Sequence, residues 1–168
     1  MKTFLFLFLM LTMSVIGCFG YNAFVVSKSK SDSATGTPGT SYEAEASNNT
    51  NNGTKTFSCN LCSGGVRVGW ISFTIFLQFN NINVDHSGNY TLKIYYINSI
   101  PNRVTSAFVS VNGGPKVMVP GLQILTVNCC DNIAPQVTQM TISLQAGNNT
   151  IKIFSPTDYA PDIDRIVI

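Results

Sequence analysis

The sequence predicts an all-β protein, an antiparallel sandwich, on three observations. From Tyr42 onward the apolar residues recur with a period of two rather than 3.6. The runs they form are short, β-branched and aromatic, and bounded by Gly, Asn and Pro. No stretch longer than a turn carries a helical pattern.

Taken in order, residues 66–71 and 73–79 are the first clear runs. The turn 85–89 (DHSGN) leads into 90–97, where Leu92, Ile94 and Tyr96 share one face and Thr91, Lys93 and Tyr95 the other. Residues 104–111 run into Asn112-Gly113-Gly114, a strong hairpin signal, and return through 116–119. The turn 146–149 (AGNN) is expected to join 137–144 to 150–154 in the same manner, and 163–168 is the last strand. Eight to ten strands at this spacing, within residues 42–168, make a sandwich with a single core.

Length and charge narrow the function. The chain has 168 residues, 10 Lys+Arg and 8 Asp+Glu, with 11% charged residues, which suits one domain. A net charge of +2, with Lys55, Arg67, Lys93, Arg103, Lys116, Lys152 and Arg165 scattered singly, argues against a nucleic-acid partner. Five cysteines and a turn-rich composition point to a protein outside the cytoplasm.

Lys2 precedes an apolar run to Ile16 that falls short of the ~20 residues of a membrane span. Small residues follow, so 1–20 reads as a signal peptide cleaved after Gly20 and the protein as secreted. The alternative takes 15–18 (VIGC) as a lipobox, with Cys18 as a lipid anchor. Residues 21–41, rich in Ser, Thr and Gly, read as a flexible linker, and the folded unit is expected over 42–168. No second apolar run of membrane length occurs.

Glu43 and Glu45 stand two apart at the start of the first strand, which sends both side chains to one face. Asp164, Ile166 and Ile168 share a face of the last strand, and first and last strands of a sandwich commonly lie side by side. Three carboxylates near a core need a counterion, and an oxygen-only donor set suits Ca2+. The same spacing also fits two glutamates facing solvent from an edge strand.

The string 42–46 (YEAEA) resembles the opening of β-sandwich carbohydrate-binding modules of families 6 and 35. It is followed by CNLCSGGVRVGW (59–70), LQFNNINVDHSGNYTLKIYYIN (77–98), VSVNGG (109–114), LQAGNNTIKIF (144–154) and APDIDRIVI (160–168). The ordered set is similar to the family 35 type attached to secreted glycoside hydrolases such as α-galactosidases. The resemblance implies a jelly-roll, galactose-binding-like sandwich with a structural calcium on Glu43, Glu45 and Asp164. It also implies a glycan or polysaccharide ligand, bound by aromatic stacking and a few polar groups. Arg103 matches an Arg that touches ligand in some members, Asp162 lies in the loop before the last strand, and Tyr159 lies beside it. Trp70, the only Trp, could supply the aromatic platform that the C–H side of a pyranose needs, or could be a core aromatic. Residues 122–140 lack the Trp that relatives carry, which keeps open a structural or adhesion protein that has lost the sugar site.

Cys59, Cys62, Cys129 and Cys130 remain after cleavage, an even count that suggests two disulfides. A Cys59–Cys62 bridge resembles one seen in the family and would leave Cys129 and Cys130 as a strained vicinal pair; two cross-bridges between the loops avoid that strain. A zinc site on adjacent thiols is poor, and a thioredoxin-like role lacks its βαβ context. His86 is the only His and, without a second base or a paired Ser or Cys, makes no triad, so it reads as a residue of a hairpin turn. Asp158 and Asp162 could suggest a glycosidase, but the expectation is a non-catalytic module. Four sequons, at Asn48, Asn52, Asn89 and Asn148, are candidate glycosylation sites in a eukaryotic secretory pathway.

Overall fold

The computed structural model describes residues 39–100, 102, 105–123 and 130–168. The expected signal peptide, Cys18, most of the linker, Arg103 and Cys129 lie outside the described residues. Eleven strands occur among those described: β1 (Ser41–Glu43), β2 (Thr50–Asn52), β3 (Lys55–Ser58), β4 (Val66–Gly69), β5 (Phe76–Val84), β6 (Gly88–Ile97), β7 (Phe108–Val111), β8 (Val117–Met118), β9 (Gln136–Leu144), β10 (Gly147–Phe154) and β11 (Asp162–Val167). One turn of 3₁₀ helix, Ser63–Gly65, precedes β4. No helix among the described residues is long and apolar enough to cross a membrane.

The strands form two antiparallel sheets. One runs β3-β4-β11-β6-β9 with β1 also on β11, and the other runs β2-β5-β10-β7-β8. The alternation along β6 sends Tyr90, Leu92, Ile94 and Tyr96 inward, where they meet Leu77, Phe79, Val109, Ile151 and Ile153 of the second sheet. Burying each such side chain contributes about 1.5–3 kcal/mol, and this shared core holds the two layers together. As expected, the first strand lies beside the last, with Tyr42 opposite Ile166 and Glu43 opposite Arg165. Pairing begins slightly ahead of Tyr42, because the Gly39 N–H donates to the Ile168 carbonyl at 3.0 Å.

The Asn112-Gly113 hairpin is present. Both residues have positive φ, 51° and 71°, and the Gly114 N–H donates to the Val111 carbonyl at 2.8 Å. The turns at 85–87 and 145–146 are different. Each joins strands of opposite sheets, so neither His86 nor the 146–149 segment lies in a hairpin. Asn149 holds the second corner: its buried amide donates to the carbonyls of Ile82, Gln145 and Gly147 and accepts from the Asn112 side chain and the Gln145 N–H. Side-chain bonds there replace the ladder bonds that a change of sheet removes.

Two bulges break the period of two. In β5 an extra residue, with Asn81 at φ 57°, lets both Phe79 and Ile82 face the core. In β11 the register against β6 shifts between Ile163 and Arg165, so Ile163 and Ile166 are both core residues and Asp164 is the extra residue between them. Asp164 therefore does not share a face with Ile166 and Ile168 by simple alternation; the bulge re-aims it.

Candidate binding cleft and acidic cluster

The three carboxylates expected to act together lie near one another beside β11, close enough for Glu43 and Glu45 to act on Asp164. Glu43 ends β1, but Glu45 lies beyond the strand, in a turn that brings the Ala46 N–H to the Glu43 carbonyl at 3.3 Å. The turn, and not strand alternation, delivers Glu45. Glu43 Oε1 accepts the hydroxyls of Ser63 at 2.9 Å and Ser41 at 3.2 Å, and Asp164 Oδ2 accepts Arg165 at 2.8 Å. Their second oxygens, Glu43 Oε2 and Asp164 Oδ1, are buried without a partner, as is Glu45 Oε2. Gly64 closes the cluster with φ 67°, and a Cβ there would collide with Glu45 Oε1. Burial pushes the fully buried Asp164 carboxyl up to about 6, opposed by Arg165 and by the Ser63 N–H and reinforced by Glu43 and Glu45. Burial also raises Glu45, with Glu43 adding to the rise. No group of three or more His, Cys, Asp or Glu among the described residues is assembled to hold a metal as the side chains stand.

A second site opens at the end of the same sheet, where β4 and β6 finish and β11 begins. Two hollows of about 280 and 350 Å³ share Trp70, Ser99 and Asp162 as walls. Trp70, 48% exposed, and Tyr159, 46% exposed, are among the few large aromatics at the surface. Trp70 follows Gly69 and is held at φ 64°, a conformation that costs a non-glycine residue about 1–2 kcal/mol. Strain of this kind is retained at ligand sites. Tyr159 is anchored by a bridge to Ser72, and the Ala160 N–H donates to the Ile71 carbonyl at 2.8 Å. The structure thus brings Trp70, Tyr159 and Asp162 together.

Asp162 is not a free acceptor. Its Oδ2 takes Arg67 Nε at 2.9 Å and its Oδ1 the Ser99 hydroxyl at 3.1 Å. Burial raises its carboxyl, while Arg67 and Ser99 pull it back down. Gly69 makes room for it, since a Cβ there would strike the carboxylate. Arg67 also reaches the half-exposed Asp131 at 3.0 Å and the Ser58 carbonyl. Lys55, opposite Gly69 across the β3–β4 ladder, sets its ammonium 3.7 Å from the centre of the Trp70 ring. Sequence reasoning missed Arg67, Ser99, Asp131 and Lys55. One signal was present: Arg67 stands between two valines, and an arginine buried in a strand needs an acid partner.

A larger hollow, about 570 Å³, lies elsewhere, between β7–β8 and β9, and its walls carry no charged group. Its walls include Asn112, Thr141, Ser143 and Gln145 but no aromatic ring.

Cys59 and Cys62 form a disulfide, which excludes the two cross-bridges considered from sequence. Cys130 is also disulfide-bonded. The sequon residues Asn48, Asn52, Asn89 and Asn148 are all exposed, as is His86. Asp158 Oδ1 accepts the Tyr159 N–H at 2.7 Å.

No family model matches the sequence, and no curated protein does. Solved structures do. A family 35 carbohydrate-binding module from Clostridium thermocellum is 34% identical with a TM-score of 0.66, over 76% of this chain and 96% of that one. An exo-β-1,3-galactanase from Phanerochaete chrysosporium, solved with β-1,3-galactotriose, is 30% identical with a TM-score of 0.65. That match covers 77% of this chain but only 29% of the enzyme. A family 35 module from Paenibacillus barcinonensis, 22% identical, shares the fold at a TM-score of 0.63 over 77% of this chain and 98% of that one.

Proposed function

The chain belongs to family 35 of the carbohydrate-binding modules, and from that premise we propose that it is a secreted, non-catalytic module that grips a glycan in the Trp70–Tyr159 cleft and is stabilised by calcium. The observation that carries the sugar reading is the meeting of two half-exposed aromatic rings with the Ser99 hydroxyl and the Asp162 carboxylate around one hollow. Aromatic faces take the C–H side of a pyranose, and Ser99, Asp131 and Lys55 supply hydroxyl partners at its rim. Arg67 shares itself between Asp131 and Asp162, which suits carboxylates that position rather than transfer protons. The apolar run behind Lys2, followed by small residues, supports export.

For the cation, the donor chemistry fits. Glu43, Glu45 and Asp164 offer only hard oxygens, and one oxygen of each is buried with no partner. Calcium completes such sets with backbone carbonyls and water, so the side chains need not form a closed cage by themselves. Glu43, Glu45 and Asp164 would hold the ion, and its charge would compensate theirs.

Affinity-gel retardation against galactose-, glucuronate- and mannose-containing polymers, with β-1,3-galactotriose as soluble competitor, tests the sugar reading. Retardation that is lost in Trp70→Ala and Tyr159→Ala is the expected result. A folded protein that ignores every polymer refutes it. That outcome favours the second reading, an adhesion sandwich with a closed sugar site, for which the Lys55 ammonium on the Trp70 ring and the internal bonding of Asp162 both speak.

A further inference from the structure

The acidic cluster and the aromatic cleft are built on the same two pieces of chain. One is β11, which sends Asp162 to the cleft and, across its bulge, Asp164 to the cluster. The other is the connection 59–65 between β3 and β4, which touches both sites within seven residues. Toward the cluster, the Ser63 hydroxyl donates to Glu43 Oε1 at 2.9 Å, the Ser63 N–H meets Asp164, and Gly64 lies against Glu45. Toward the cleft, the Asn60 N–H donates to the Asp131 carbonyl at 2.7 Å, and its amide donates to Asn132 at 2.7 Å. The Asp131 carboxylate in turn holds Arg67, and with it Asp162.

We propose that the 59–65 connection couples the two sites, so that a divalent cation in the acidic cluster sets the geometry of the Trp70 cleft. The inference rests on the calcium reading above. Its physical basis is stiffness in the middle and softness at one end. The Cys59–Cys62 bridge and the backbone bonds Cys59 to Gly65 (2.9 Å), Cys62 to Cys59 (3.2 Å) and Gly65 to Cys62 (3.2 Å) make the connection a closed block. Without an ion the three carboxylates repel one another, and in this proposal a bound ion draws them closer together. Ser63 and Gly64 follow the carboxylates, and the rigid block carries the movement to Asn60, Asp131 and Arg67. A two-state element contacted by both sites is the physical requirement for such coupling, and the effect is reciprocal.

Trp70 is the only tryptophan, so its emission reports the cleft directly. The experiment titrates the full chain, stripped of metal, with calcium chloride and follows Trp70 emission, acrylamide quenching and melting temperature together. The expected result is a saturable change in Trp70 emission with the same midpoint as the rise in melting temperature. Two variants locate the path: Cys59→Ser/Cys62→Ser, and Asp131→Ala, whose exposed side chain makes it the safer to fold. Both should keep the calcium-dependent rise in melting temperature and lose most of the emission change. Calcium that raises the melting temperature but leaves Trp70 emission unmoved overturns the coupling while the calcium reading stands. Calcium that moves neither overturns both. An emission change undiminished in the two variants overturns the role of the 59–65 connection.

Discussion

Asp162 and Asp164 are two residues apart on one strand, both buried, and solved by opposite means. Asp162 has a partner for each oxygen, Arg67 and Ser99, drawn from β4 and the end of β6. Asp164 has a partner for one oxygen only, and its neighbours Glu43 and Glu45 are themselves carboxylates with an orphaned oxygen each. Burying an ionised carboxylate costs several kcal/mol unless charge and hydrogen bonds offset it. At the cleft the chain supplies the offset. At the cluster it supplies too little, so the remainder must come from outside, as a proton or a cation. The same residue type thus marks a finished structural pair at one place and an uncompensated acidic cluster at the other.

Breaking the finished pair should have the largest effect. Arg67→Ala leaves Asp162 buried without its cation and removes the tie to Asp131; a loss of about 3–5 kcal/mol in urea-unfolding stability is expected. At the cluster, chelation with EDTA should lower the melting temperature, and saturating calcium at about a hundred times its dissociation constant should restore about 2.7 kcal/mol. Asp164→Asn should remove that sensitivity; a wild-type melting curve indifferent to chelator and calcium refutes the assignment.

The pH dependence without metal sharpens the contrast. The folded Asp164 carboxyl, near 6, lies above its ordinary value of 3.8, so the folded state holds a proton the unfolded chain releases. The metal-free fold should therefore be most stable below about pH 4 as far as this group is concerned, and lose stability as pH rises through 6. With one pKa unit equal to about 1.4 kcal/mol and screening by water at the partly exposed Glu45, the loss is on the order of 2 kcal/mol. Calcium should abolish the slope, and stability that rises over the same window in EDTA contradicts it. The smallest effect is expected at the cleft mouth. Trp70→Ala should change folding stability by less than about 0.5 kcal/mol, because the ring is half exposed and its backbone strained, while removing polymer retardation.

Much of the fold was legible because a two-residue period needs only a local rule. The 90–97 strand alternates in the structure as it does in the sequence, and Asn112-Gly113 makes the hairpin its φ preference demands. The corners misled for a physical reason. The 85–89 and 146–149 turns carry the same Gly and Asn residues as a hairpin, and whether the next strand returns to the same sheet depends on where the core lies. The candidate sites were half legible. Trp70, Tyr159 and Asp162, singled out by their chemistry and by family resemblance, line one hollow, and Glu43, Glu45 and Asp164, singled out by spacing and family resemblance, lie near one another beside β11. Arg67 was passed over as one of several scattered cations: its place between two valines hints at burial, but nothing local names the two acids it meets.

What the sequence determined by itself is the class of the molecule: an all-β sandwich of family 35, with first and last strands rich in carboxylates and one tryptophan near a strand end. Composition and periodicity are properties of neighbours along the chain, and they suffice for that. Only the tertiary structure decided which charges meet. A bulge of one residue in β11 turns Asp164 toward Glu43 and Glu45 while Asp162 turns to Arg67, 95 residues away in sequence. Charge compensation acts through space over a few ångströms, and the chain order does not record that distance.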